Sequence, residues 1–251
     1  MPHCAVNATS PRFRIEAIFA LGISFTMMCV LGGCAVTSPG MNADGARLFR
    51  QGQRSAAIER FNQAIAADST NPDSYYNLGT VYHAMAKTEQ NESYWRQAEN
   101  YYRMALDARP DHANAHRGMA VLLVEQNRPK DAFALLEDWV QRSPLSSDAH
   151  VELARLHREF GDKQQEERQL LAAVNVQPRD ARARAALGKI REEQGDLAQA
   201  YANYTESFRA NRLNVPVAAR LAALRPTVEP IPVLPAEGGT RTVQVPPPTW
   251  R

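Results

Sequence analysis

With 29 Lys and Arg against 27 Asp and Glu in 251 residues, the chain carries a formal charge of +2. That charge is too small to imply nucleic acid, and the part after Cys34, which leaves behind Arg12, Arg14 and Glu16, is nearly neutral. All three cysteines (Cys4, Cys29, Cys34) fall in the first 34 residues, so the remainder holds no disulfide, thiolate nucleophile or cysteine metal site.

The N-terminus reads as a targeting segment. Arg12 and Arg14 form a basic start, and Ala17–Leu31 is an uncharged apolar run of 15 residues. Leu31-Gly32-Gly33-Cys34 follows. It is similar to the lipobox of bacterial lipoproteins, in which the Cys thiol receives a diacylglyceryl group and becomes the first residue. On this reading residues 1–33 are a signal peptide and 34–40 a lipidated Cys34 with a short linker. The alternative is an uncleaved anchor, since Ala17–Val36 gives 20 uncharged residues, just enough to span a bilayer. Both readings place the rest of the chain outside the cytoplasm. Ala35 is not the Asp that retains well-studied lipoproteins in the inner membrane, which points toward an outer membrane where the cell has two.

Helical patterns then follow one another. Residues 41–71 have a weak first helix around Leu48 and Phe49. The second carries a stripe of Ala57, Ile58, Phe61, Ala64 and Ile65. Residues 72–112 begin at Asn71-Pro72, a capping residue followed by Pro in the first turn. Tyr75, Leu78, Gly79 and Tyr82 mark the first helix of this unit, and Ala98, Tyr102, Ala105 and Leu106 the second. Seven extra residues separate its halves, around Lys87–Trp95. Such an insertion is expected in a loop, often at a binding rim; the simpler expectation for Trp95 is packing on the neighbouring helix.

Residues 113–146, 147–180 and 181–214 are three consecutive units of 34 residues. Their seventh place holds Met119, Leu153 or Leu187, their eighth Ala120, Ala154 or Gly188, and their twenty-fourth Leu136, Leu170 or Tyr204. A fixed period of this length marks a stacked repeat. Each unit reads as two antiparallel helices, with Asp196 placed to cap the last. Residues 215–225 read as a capping helix. Residues 226–251 hold seven prolines and read as a disordered tail, in which Thr240–Val245 alternates weakly, as a strand added to a partner's sheet would.

The pattern resembles the tetratricopeptide repeat (TPR), on Tyr75…Leu78-Gly79…Tyr82, on Leu187-Gly188…Ala200…Tyr204, and on the closing Pro110, Pro144 and Pro178. Glu166 departs from it, standing where the family places a small residue. His116 and His150 depart too, standing where the family often places Trp. The resemblance implies an all-α solenoid of about five helix pairs plus a C-terminal capping helix, with the first helix of each pair lining a concave face. On those helices the candidate groove residues are Tyr76, Thr80 and His83; Arg117, Val121 and Val124; Val151, Arg155 and Arg158; and Lys189 and Glu192. The row leans basic toward its C-terminal side, and Arg suits carboxylate recognition through its forked donors. The Lys/Asn clamp of certain chaperone-binding members is not reproduced, because Tyr76 and Thr80 do not match it.

Nothing points to catalysis. No HExxH, nucleophile elbow, phosphate loop or GxGxxG turn is present, and no cofactor or metal is expected. His112 and His116 are four apart but lack a third ligand, and His116, His150 and His157 repeat at packing places. Glu166-Glu167 and Glu192-Glu193 are adjacent on helices and so point apart. The expected function is a non-enzymatic, membrane-anchored scaffold that binds envelope proteins or peptides in its groove, without nucleic acid. A pilus or secretin assembly lipoprotein is the narrower alternative. An envelope enzyme, or an accessory regulator of a cell-wall enzyme, is the alternative of another class.

Overall fold

Most of the later helices start with similar local chemistry. In a computed structural model, which describes residues 37–228, the side chains of Asn71, Asn91, Asp162, Asp180 and Asp196 accept backbone N–H groups of the following first turns. These are donors that a helix start leaves unpaired. The turns inside hairpins pass through a left-handed residue: Gly161 and Gly195 at φ 78° and 83°, Asn127 at 59° and Gln90 at 51°. Glycine reaches that region without a Cβ clash, and asparagine tolerates it.

Eleven helices result, with no strand among the described residues. They are α1 (Ser38–Arg50), α2 (Arg54–Ala67), α3 (Pro72–Glu89), α4 (Glu92–Ala108), α5 (Ala113–Glu125) and α6 (Pro129–Arg142), then α7 (Ser147–Glu159), α8 (Lys163–Val176), α9 (Ala181–Glu193), α10 (Leu197–Ala210) and α11 (Val215–Val228). Consecutive helices pair into five hairpins, and α11 covers the last one. The first helices α1, α3, α5 and α7 touch one another in series, whereas the second helices do not form such a row. The first-helix side is therefore the tighter, concave layer of an α-solenoid. Among the described residues no helix is long and apolar enough to cross a membrane. The stretch expected to be a targeting segment, Cys34 and most of the stretch read as a tail lie outside the described residues.

Packing inside the hairpins follows a size exchange between the eighth and twenty-fourth places. Gly45, Gly79 and Gly188 face Phe61, Tyr102 and Tyr204; a Cβ on them would stand 2.5, 2.6 and 2.7 Å from the ring. Where the twenty-fourth place holds Leu136 or Leu170, the eighth holds Ala120 or Ala154, and all four are buried. The two places thus share one fixed volume, as close-packed interiors require. Gly118 of α5 also meets the Tyr102 ring, which a Cβ there would approach to 2.8 Å, so this ring joins two hairpins. Leu187 is 3% exposed, but it packs with Val151, Ala154 and Leu170 of the preceding hairpin rather than within its own.

Three boundaries differ from the sequence expectation. First, α1 starts at Ser38, inside the stretch read as linker, with Pro39 in its first turn. Counted from Ser38, the first unit has the same 34-residue phase as the later ones. Second, the seven-residue insertion is not a loop. It lengthens α3 to 18 residues and α4 to 17, against 13 and 14 in the other hairpins, and leaves Gln90-Asn91 as the turn. Its sequence contains no helix breaker, so the helices continue through it. Third, α11 runs to Val228, three residues past the expected cap.

Candidate binding groove

The concave layer is not uniform. The first helices α7 and α9 approach each other less closely than α5 and α7 do, and α8 shows between them. The resulting cleft has a volume of about 340 Å³. Val151 and Ala154 from α7, Leu170 from α8, and Ala185 and Ala186 from α9 form its apolar surface. Arg117, Arg155, Arg158, Arg182 and Lys189 bring positive charge to it, and Glu152 and Glu166 negative charge.

The keystone is Glu152, which is fully buried. Its carboxylate accepts Arg117 Nε at 2.9 Å and Arg155 Nε at 3.1 Å, and Arg117 Nη2 binds its other oxygen. Arg182 approaches the same oxygen at 3.7 Å but is held mainly by Asp148 and Asp180. A buried carboxylate is tolerated because arginines from α5, α7 and α9 surround it. The hydrogen bonds to Glu152 raise the Arg117 pKa above its ordinary value. Burial raises the carboxyl pKa of Glu166, whose nearest cation is Arg158 at 3.7 Å. Glu166 stands at a place where the other hairpins have the buried alanines Ala57, Ala98, Ala132 and Ala200; here its carboxylate emerges in the cleft.

Of the eleven sequence candidates, Arg117, Val151, Arg155, Arg158 and Lys189 converge on this cleft. Lys189 also borders a second cavity of about 450 Å³, where Glu192 accepts Tyr204 Oη at 3.0 Å and binds Arg220 of α11. The remaining candidates do not line the cleft. Tyr76 is half-buried against Tyr102 and His112, with ring centres 6.0 and 5.6 Å away. Thr80 donates to the Tyr76 carbonyl at 3.0 Å. Val121 and Val124 are half-buried, Val124 against the central core.

His83 corrects the expectation of a groove residue: it is buried and bridges three helices. Its Nδ1 meets Tyr102 Oη at 3.2 Å and its Nε2 meets Glu125 at 2.8 Å, while Lys87 donates to the same carboxylate at 2.7 Å. Trp95 packs 5.4 Å from the His83 ring, as expected for a residue that covers its neighbour.

The other histidines among the described residues are engaged in structure. His116 and His150 Nε2 reach the carbonyls of Pro110 and Pro144 at 2.8 and 3.1 Å. Tyr75 and Arg184, at the same fourth place, donate to Ser69 and Pro178 carbonyls. One interaction, six residues back, thus closes four successive inter-repeat turns. His116 also stacks on Trp139, centre to centre 3.9 Å; Trp139 occupies a place held elsewhere by Ala105, Ala173 and Ser207. Among the described residues no cluster of three His, Cys, Asp or Glu groups is placed to hold a metal.

Sequence reasoning missed Glu152 and Arg182. A signal existed for the first: Glu152 falls at the sixth place, where the adjacent units have the small Gly118 and Ala186. A charged residue at a place that faces a neighbouring helix demands partners of opposite sign.

Three family models match the chain: a TPR repeat model over residues 45–85, and two tetratricopeptide-repeat models over 83–147 and 123–190. Together they run through more than half of its length, and the chain belongs to the tetratricopeptide-repeat proteins. No curated protein matches its sequence. Among solved structures it is similar to a thermophilic TPR protein of Thermus thermophilus, at TM-score 0.54 and 18% identity, covering 75% of this chain and 98% of the other. It is also similar to PilF of Pseudomonas aeruginosa, at TM-score 0.53 and 16% identity, covering 76% and 84%. At such identities the likeness is one of fold. The repeats make the protein a protein–protein interaction scaffold.

Proposed function

We propose that this scaffold works in the bacterial cell envelope, tethered by lipid on Cys34, and binds protein or peptide partners in the cleft between α7 and α9. The observation that carries the binding half is the cleft itself. It is the place where the concave layer opens onto an apolar floor rimmed by charge. Its buried Glu152 is fixed by Arg117 and Arg155, an arrangement suited to holding a partner in a fixed geometry. The tether reading is supported by Arg12, Arg14, the uncharged run and Leu31-Gly32-Gly33-Cys34 taken together. Tethering would raise the effective concentration for partners in the same membrane.

A photo-crosslinking residue placed at Ala185 in living cells tests the binding half, with the exposed Leu171 of α8 as the comparison site. The expected result is a discrete crosslinked partner from Ala185 and none from Leu171. Equal capture from both positions would remove the cleft from consideration.

A further inference from the structure

The cations of the cleft divide into two sets, because most of them are already committed. Arg117 is bound to Glu152 through two nitrogens, and Arg182 is held among Asp148, Asp180 and Glu152. Both are partly exposed, 40% and 44%, but a ligand that took their bound nitrogens would compete with the carboxylates that hold them. Arg158 and Lys189 differ. Their nearest carboxylates, Glu166 and Glu193, lie at 3.7 and 3.9 Å, beyond hydrogen-bond length. Their side chains are 44% and 60% exposed. Arg155 stands between the two sets: Glu152 fixes its Nε, while its Nη2 is buried with no acceptor.

We propose that Arg158 and Lys189, from opposite walls of the cleft, form a seat for the carboxylate of an acidic residue in a partner's peptide segment, with Arg155 behind them. The proposal rests on the reading of the cleft as the partner site. Charge complementarity selects the occupant, because the two forward cations pair with their carboxylates only at 3.7 and 3.9 Å and make no hydrogen bond to them. The apolar floor of Val151, Ala154, Leu170, Ala185 and Ala186 specifies the neighbour, a small or medium apolar residue next to the acid. A carboxylate suits the seat better than a phosphate. Glu152 and Glu166 already place negative charge in the cleft, and a dianion is repelled more strongly by them. Glu152 is a positioning residue in this scheme, since it locks Arg155 and touches no ligand itself.

The test uses the full chain and short synthetic peptides containing Glu-Leu or Asp-Val, each matched by a Gln or Asn version, with binding read by fluorescence anisotropy. The acidic peptides should bind, and their amide versions should bind about tenfold more weakly, the scale of a charge-assisted hydrogen bond. Arg158→Gln with Lys189→Gln should cost a similar factor and leave the folded circular dichroism spectrum unchanged, because neither side chain is buried. Glu166→Gln removes the competing carboxylate and should tighten acidic-peptide binding, an effect of opposite sign that a purely structural role would not give. Equal binding of acid and amide peptides, no peptide binding, or indifference to the Arg158/Lys189 change would each overturn the seat. If Ala185 still crosslinks a partner in such a case, the cleft remains the partner site and only its acid-reading role falls.

Discussion

The buried carboxylate of Glu152 sets what can be changed at single residues. Arg117 and Arg155 line the cleft but hold the fold together, so reversing their charge would report on folding as much as on binding. Arg117→Ala should destabilise the protein by about 1.5–3 kcal/mol, the range for hydrogen bonds to a charged group. Arg155 and Arg182 remain beside Glu152, which keeps the loss below that of an abandoned buried charge. Arg117→Met with Glu152→Met should recover most of it, since well-packed apolar pairs commonly replace buried ion pairs without net cost. Urea unfolding of the wild type and these two variants measures both. A double mutant no better than the single would mean that Glu152 needs no arginine. Histidines set the acid response. Burial lowers the pKa of His83, His116 and His157 below the ordinary value. They are therefore neutral in the fold at a pH where the unfolded chain has bound protons. Their contribution is complete above the unfolded value, about 6.5, and is lost as pH falls through the folded values. The hydrogen bonds of Ser143 and Trp139 lower the Asp111 carboxyl pKa; burial would raise that of Asp180, but Ser147 and the Ala183 N–H outweigh it and leave it lowered. Those groups lose their contribution only below about pH 4. The melting temperature should fall between pH 7 and pH 5, and His83→Gln should flatten that slope; an unchanged slope would show that His83 is not among its causes.

At the scale of the helix pair, the shared volume of the eighth and twenty-fourth places makes a reciprocal prediction. Gly188→Ala puts a methyl group against the Tyr204 ring and should cost about 1–3 kcal/mol by overpacking. Tyr204→Leu alone leaves a void and also loses the Glu192 hydrogen bond. Together they recreate the Ala154/Leu170 arrangement of the preceding hairpin, so the pair should cost less than the two single changes added, a coupling that a double-mutant cycle reads directly. Additive losses would mean that the two places do not share one volume. The period that makes this argument was legible in the chain, and with it the hairpins, the Asp196 cap and the burial of Leu187. The reach of the first unit was not, because Ser38-Pro39-Gly40 looks like a linker when only local composition is read. Pro39 is compatible with the first turn of a helix, and only the 34-residue phase shows that one begins there. The insertion was misplaced for a related reason: period counting finds extra residues but not whether they bulge or extend two helices. In the cleft, five of the candidate residues followed from counting along the first helices. Glu152 and the spreading of α7 from α9 did not, because they depend on which neighbouring helix each side chain meets. Counting also put His83 in the groove, although the longer α3–α4 hairpin brings Trp95 over it.

For the whole molecule the question is how the solenoid stands on a membrane if Cys34 carries lipid. Under that proposal Cys34→Ser abolishes lipid labelling and leaves the precursor uncleaved, and labelling equal to wild type would sink the anchor. Because α1 begins at Ser38, the tether is shorter than the sequence suggested. The four steps from Cys34 to Ser38 reach about 14 Å when fully extended. Acyl chains hold at about 0.8 kcal/mol per buried CH₂, so the tether stays seated and α1 stays near the surface. The chain emerges beside the α2–α3 turn, where Asn71 Nδ2 meets Ser38 Oγ at 3.3 Å. First helices in contact are spaced by about 8–10 Å and α9 stands further from α7, so the α10–α11 turn lies tens of ångströms along the stack. We expect the first hairpin to sit on the membrane and the cap to point away, carrying the cleft out toward partners. The described residues contain no cysteine, so single reporters can be attached at Thr70 and at Leu213 of the lipidated protein on vesicles with nitroxide-labelled headgroups. Thr70 should be quenched strongly and Leu213 weakly. Equal quenching would instead lay the solenoid edge-on. Leu145, Leu213 and Val215, 83%, 89% and 73% exposed beside inter-repeat turns, would then be the side chains that meet the headgroups.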